Sequence, residues 1–490
     1  MKHTIVIIAL LLVYISARAQ HTPAANALGR EIEAEVKSMQ KILNVPGLSV
    51  AVVQGDRIVL CKGFGVSNID KNIPFDAHTP ARLASATKFF TSIGVLAEVN
   101  KGIIDLNAPL RTYLNDVPAA WADIPLYMLL NLTCGIPGTE KTPFDQMTDA
   151  QQRNVSEHDL YELLNKLPLE SKPGEKWAYR QTGYMITAMI ISQRTGKSWP
   201  EILKETMLMP AGMQDTGHND LTEYPADLVP KNYVYNDKRQ LVNSPMFFPA
   251  VLATGGGYNT SAADLANLFL GINSKHILSP DLISKYEFNK TWMYPLGSGQ
   301  YYSVASEVKS FGRYLTIGHS GGPDLANIRY SPDKKIGVAV LANRNTTGIS
   351  EELTNRILKR MLLDSAFNVQ SRPVSYAVTG MVRKSSYEAL VAFCDRAKAN
   401  KKYSFKNAES YLNNAAYELM NRRQLVDALK IFRLIVHEYP NSANAYDSLG
   451  EAYLASGNKD LSLVNYKKSL SLNPANENAR KIIDNLEAQR

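Results

Sequence analysis

From about Ser404 onward the chain repeats itself every thirty-four residues, and that period constrains its fold more than any other feature. Leu412, Ala415, Ala416, Leu419, Ala428, Phe432 and Pro440 recur as Tyr446, Leu449, Gly450, Tyr453, Ser462, Tyr466 and Pro474. A unit of this length suits two antiparallel helices, which cannot bury their apolar faces alone and must stack on a neighbour. Small residues at 428 and 462 let the helices of one hairpin approach, and the aromatics at 432 and 466 fill the space between hairpins. Two units bury little surface, so the tail 475–489 is predicted to be a capping helix.

This pattern resembles the tetratricopeptide repeat, and the resemblance implies a concave surface for a protein or peptide partner. The assignment covers 404–490, with 366–403 read as a linker because apolar periodicity weakens there. Upstream, 26–365 reads as a separate unit large enough for its own core. A helix is predicted at 27–43, followed by apolar runs at 47–53 and 57–61 about the Gly55-Asp56 turn, a hairpin signal. Helical segments and loops rich in Pro and Gly occupy 85–270, and strand-like runs return at 314–319, 326–330 and 336–342. A helix at 351–363 closes the unit. The fold class predicted is α+β, with one antiparallel sheet built from both ends of the unit and a helical region between.

Residues 1–19 have the form of a secretory signal peptide: Lys2, an apolar run from Ile5 to Ile15, then Ala17-Arg18-Ala19. The expectation is an exported protein, periplasmic or secreted. The run is too short for a transmembrane anchor, and none is predicted. The formal charge of +8 loses the contributions of Lys2 and Arg18, and the remaining basic residues are dispersed. With export expected, this reads as a solvated basic surface, and no nucleic-acid partner is predicted. Cys61, Cys134 and Cys394 make no disulfide framework, and neither they nor the eight histidines show metal-ligand spacing, so no metal or other cofactor is predicted.

The chemistry is concentrated at Ser85-Ala86-Thr87-Lys88. On a helix, Ser85 and Lys88 share a face one turn apart. A lysine amine with a depressed pKa can take the serine proton as the hydroxyl attacks an acyl carbon. Ser38 with Lys41, Ser306 with Lys309, Ser331 with Lys334 and Ser456 with Lys459 repeat the spacing. Only Ser85 opens a long apolar, helix-compatible run, which sets its hydroxyl at a helix N-terminus, where the dipole favours a developing oxyanion.

Three further stretches accompany that box: 129–138, ending Cys134-Gly135-Ile136-Pro137-Gly138; 173–184, containing Tyr179-Arg180-Gln181; and His319-Ser320-Gly321-Gly322. With these four in order, the chain resembles the serine β-lactamase-related family of class C β-lactamases, D,D-peptidases, D-amino-acid peptidases and esterases. The glycine-rich stretch 254–265 fits the same resemblance. It implies Ser85 as the acylated nucleophile, Lys88 as its proton partner and Tyr179, its phenol pKa lowered by the lysine cation, as second base or acid. Gln181, His319, Ser320, Gly321 and Gly322 would bind substrate and oxyanion, the box at 319 lying on an edge strand, with the amides of Ser85 and Gly322 as the oxyanion donors.

Two departures bear on substrate. Gln181 stands where the family has asparagine, and His319 where β-lactamases have lysine, so a substrate carboxylate would be held less strongly. The resemblance therefore implies an exported serine hydrolase acting on esters or D-amino-acid peptide or amide bonds, with slow β-lactam turnover. The alternative is a catalytically weak, penicillin-binding-protein-like binding or regulatory protein that works through its repeats.

Overall fold

The structure is a computed structural model. It describes residues 23–218, 229–235, 240–297, 299–345, 348–367, 373–399, 403–405, 408–421 and 424–488, and the leader at 1–19 lies outside the described residues.

Apolar runs from the two ends of the first unit meet in one sheet. β1 (Gly47–Gln54) and β2 (Arg57–Asn68) form a hairpin about Gly55, whose φ of 61° only glycine adopts freely. Strands β3 (Ile73–Pro74), β4 (Tyr294–Gly297), β5 (Gln300–Tyr302), β6 (Glu307–Phe311), β7 (Tyr314–Gly321), β8 (Ala326–Ser331) and β9 (Ile336–Ala342) complete it. The order is β3-β2-β1-β9-β8-β7-β6-β5-β4, antiparallel throughout. Val50 faces Val340 and Val52 faces Val338 across the seam between the two ends of the unit.

Alternation along the central strands divides two cores. Leu48, Val50, Val52, Val338 and Val340 point to a layer formed by α1 (Pro23–Leu43) and a second helix at Ile349–Leu363. Ala51, Val53, Ile328, Ala339 and Leu341 face the larger core of the helical region. Burying one such Val or Leu is worth about 1.5–3 kcal/mol, so a one-residue slip, which exchanges the two faces, is strongly disfavoured. Within the helical region, α2 (Thr87–Asn100), α3 (Thr182–Thr195) and α4 (Ala262–Asn273) carry the segments that build the site.

One expectation changes here. β7 is not an edge strand, because β6 pairs with it from Tyr314 to Gly318 and β8 pairs with it from Ile317 to Gly321. The β6 ladder stops at Gly318, so His319 onward is laddered on the β8 side. A local edge is thus opened inside the sheet by the shortness of β6.

After the helix at 349–363, the described residues are mostly helical. The span 366–403, expected as a linker, carries helices at Val374–Met381 and Tyr387–Ala399. Val374, Val378, Val382, Leu390, Cys394 and Ala397 bury into the core of the helices that follow. Their four-residue apolar spacing lasts only two or three turns, too few to stand out as a period. Helices then occupy Ala408–Asn421, Leu425–Glu438, Ala443–Ala455, Lys459–Leu472 and Glu477–Ala488, so the second pair follows the first at the spacing of the repeat. Ser462 donates its hydroxyl to the Gly450 carbonyl at 2.8 Å, and a Cβ on Gly450 would lie 3.0 Å from the Tyr466 ring. Tyr417 packs edge-on against Phe432, donates its one hydroxyl proton to Glu451 at 2.8 Å and accepts from Ser448, 3.1 Å away, both on the next pair. Among the described residues, no helix is long and apolar enough to cross a membrane.

Candidate active site

Ser85 sits in a short 3-10 turn, Ala84–Ala86, that runs directly into α2. Ala84 before it holds φ 45°, a left-handed conformation that strains a residue with a Cβ by about 1–2 kcal/mol. Lys88, one turn on, is fully buried and places Nζ 3.2 Å from Ser85 Oγ and 2.6 Å from the Gly255 carbonyl. Burial drives its amine pKa well below the ordinary lysine value, and the negative charge of Glu307 only partly opposes this. The neutral amine can donate to Gly255 and keep its lone pair for the serine proton, the arrangement a general base requires.

The two middle boxes act as one support. Gly183 at the start of α3 lies so close to the Leu129 carbonyl that a Cβ would stand 2.4 Å from it. Ala178 N donates to Leu132 O at 2.9 Å, Gly174 N to Thr133 O at 2.8 Å and Thr182 Oγ1 to Pro137 O at 3.2 Å. The loop so fixed carries Tyr179, whose ring is partly exposed while its hydroxyl turns inward, hydrogen-bonded to Ser85 and 3.5 Å from His319 Nε2. Lys88 Nζ lies 4.9 Å from the Tyr179 ring centroid and 5.2 Å from that of Tyr184. The expected lowering of the Tyr179 phenol does not occur. Burial raises its pKa, outweighing the Ser85 hydrogen bond, and the lysine that was to supply the cation is itself pushed toward neutrality.

His319 has a different place from the one expected. The residue is 2% exposed, Nδ1 lies 2.6 Å from the Ser320 carbonyl and Nε2 lies 3.0 Å from Tyr302 Oη. Burial lowers its pKa to about 3, against the pull of Glu307, so the imidazole is neutral. A carbonyl only accepts, so Nδ1 carries the proton and Nε2 receives the Tyr302 hydroxyl. Tyr302 Oη is in turn 2.8 Å from Tyr184 Oη. The imidazole is thus a buried prop behind Tyr179 and does not reach a substrate carboxylate.

Ser320 also turns away, donating to Glu307 Oε1 at 2.9 Å. Gly321 is buried and Gly322 exposed: a Cβ on Gly321 would meet the Leu83 carbonyl at 2.0 Å, while one on Gly322 would meet nothing within 4 Å. The end of β7 therefore rests on the turn that presents Ser85. Gln181, just before α3, lays its amide against Gly255, with Oε1 buried and without a hydrogen-bond partner. Its extra methylene folds the group onto Gly255.

Gly255, Tyr302, Glu307 and Arg329 are positioning groups that the sequence reading passed over. Arg329 is fully buried and bonds the Glu307 carboxylate, and its Nη1 donates to the Glu307 carbonyl at 3.0 Å. The glycine-rich stretch at 254–257 was the one visible signal for any of them. Cys134 is buried, which pushes its thiol up to about 11 and makes it inert.

Comparison with known proteins bears on this geometry. The Beta-lactamase family profile matches residues 32–360. "Protein flp" of Staphylococcus aureus (strain NCTC 8325 / PS 47) is 26% identical over 315 residues, covering 62% of this chain and 60% of that protein. The chain thus spans about 60% of the length of this relative. Among solved structures, the octameric penicillin-binding protein homologue from Pyrococcus abyssi is 25% identical with TM-score 0.57, over 68% of this chain and 77% of that one. D-amino acid amidase from Ochrobactrum anthropi SV3, complexed with L-phenylalanine amide, is 20% identical with TM-score 0.58, over 69% and 98%.

Proposed function

Because the chain belongs to the beta-lactamase family, we propose that it is a serine hydrolase working through an acyl-enzyme on Ser85, with esters preferred over amides. The observation that carries this is the fully buried Lys88 amine 3.2 Å from Ser85 Oγ. Ser85 Oγ attacks the acyl carbon as its proton passes to Lys88 Nζ. The neutral Tyr179 phenol gives its proton to the leaving group and is recharged by Lys88. Water then attacks the ester as Lys88 Nζ takes its proton, and the same proton is returned to Ser85 Oγ as the acyl C–O bond breaks, freeing the serine. The amides of Ser85 and Gly322 receive the oxyanion charge.

The test is mass spectrometry of the intact protein after exposure to a nitrophenyl ester, a fluorophosphonate and a penicillin. Adducts on Ser85 that form with all three, short-lived for the ester and long-lived for the penicillin, support the reading. Slow β-lactam turnover is expected because the buried neutral His319 offers no cation to the carboxylate. Absence of any Ser85 adduct would favour a binding protein.

Gln181 governs the ester preference. Folded on Gly255, its amide is poorly placed to bind a substrate amide, a loss that an ester does not feel. Gln181→Asn should raise the kcat/KM ratio of a D-amino-acid amide over a small ester by about tenfold, the worth of one hydrogen bond of ~1.4 kcal/mol in the transition state. An unchanged ratio counts against this role.

The paired helices from Ala408 onward act as a tetratricopeptide-like surface for a protein or peptide, and residues 1–19 direct export. The catalytic unit works without the helical region. Truncation after residue 367 is expected to leave ester hydrolysis within about threefold of the full chain. Loss of activity would mean that the helix at Val374–Met381, which lies against α1, is needed by the catalytic unit.

A further inference from the structure

On the acyl-serine reading above, we propose that Gly255 and Gln181 form one coupled element: the missing side chain at 255 admits the glutamine amide, and the carbonyl of 255 positions Lys88 on Ser85. Three contacts stitch α2 to the segment around Gly255. Thr91 Oγ1 donates to the Thr254 carbonyl at 2.6 Å, Lys88 Nζ to the Gly255 carbonyl at 2.6 Å, and Tyr258 N to Thr87 Oγ1 at 3.2 Å. Lys88 therefore has a fixed backbone acceptor on the same residue that faces the side chain at 181.

Nothing in the backbone demands glycine at 255, since its φ is outside the left-handed range. Space demands it. A Cβ there would stand 1.9 Å from Gln181 Oε1 and 2.9 Å from its Cδ, and its three nearest neighbours all belong to that one side chain. Gly256 differs, because a Cβ on it would meet the Phe248 ring at 2.6 Å. The glycine at 255 is thus matched to the glutamine at 181. A side chain added at 255 must either expel the amide or drag the 255 carbonyl off Lys88 Nζ.

The experiment is a double-mutant cycle in the full-length protein. Gly255→Ala should lower kcat for a nitrophenyl ester by about a hundredfold, since displacement by about 1 Å costs that much. Gln181→Asn in the same background should recover at least about tenfold of it, the mark of coupling between contacting residues. The acid limb of the kcat/KM profile should move to lower pH in Gly255→Ala, because the ammonium form of Lys88 loses an acceptor while Glu307 and the flanking Tyr179 and Tyr184 stay in place, and it should return in the double variant. A merely weakened fold would lower the rate without moving the limb.

Urea midpoints give a reading independent of turnover. Gly255→Ala should be less stable than wild type, and Gln181→Asn should restore it. Wild-type stability in Gly255→Ala, or a double variant no better than the single one in both stability and rate, overturns the coupling even if Ser85 acylation stands. Rescue of stability in a chain whose ester hydrolysis does not depend on Ser85 would instead support the coupling and remove the acyl-serine reading.

Discussion

Ser85→Ala and Lys88→Ala are each expected to lower nitrophenyl ester hydrolysis at least about a thousandfold, because nucleophile and base act as one unit whose members are not additive. Lys88→Arg should be as inactive as Lys88→Ala. It brings a permanent cation to the position, and a guanidinium cannot give up its proton near neutral pH. That comparison separates a base from a cation, since a lysine that only attracted substrate would be replaced in part by arginine. In the wild type, kcat/KM should rise with pH through the depressed Lys88 pKa, as the amine loses its proton, and stay high above it. Tyr179→Phe should cost less, about a hundredfold, because the phenol only relays a proton that Lys88 already holds. Equal rates for wild type and Ser85→Ala, in matched pure preparations, would remove Ser85 as nucleophile.

Much of this was legible because it depends on short-range pattern. Apolar and strand-like runs bounded by turn residues announced β1, β8 and β9, and the apolar run after Ser85 announced a helix. The repeat spacing placed the last helices before any contact was known. What could not be read depends on which backbone passes which side chain. The acceptor for Lys88 is a carbonyl, which has no residue signature, and it comes from a segment 167 residues away. His319 sits in a box whose order suggests a substrate contact, yet β5 brings Tyr302 over it and seals it. Glu307 and Arg329 are 22 residues apart, and only the pairing of β6 and β8 on either side of β7 reveals that the charges meet.

Arg329→Met is expected to destabilise the protein by about 3–5 kcal/mol at pH 7, the largest stability effect among these variants, because it strands a buried carboxylate. Glu307 is shared among Arg329, the Ser320 hydroxyl and Lys309 Nζ at 3.4 Å, and Lys309 also reaches Glu351 at 2.7 Å. Burial would raise the Glu307 pKa, but Arg329 first, then His319 and Lys309, hold the group well below the carboxylate range, His319 gaining its charge only under acid conditions.

A depressed carboxylate pKa contributes stability above the unfolded value of about 4.3, and that contribution is lost as pH falls through the folded value. Wild type should therefore lose stability only on strong acidification. In Arg329→Met the balance reverses: burial now dominates, the folded pKa rises above the unfolded one, and stability is lost as pH rises through it. The variant should become more stable between pH 7 and pH 5, where wild type changes little or declines. Urea unfolding at the two pH values measures this, and Glu307→Gln in the same background should recover part of the loss by removing the stranded charge. A variant as stable as wild type at pH 7, or one with the same pH dependence, would show that the pair contributes nothing to holding the end of β7 on the Ser85 turn.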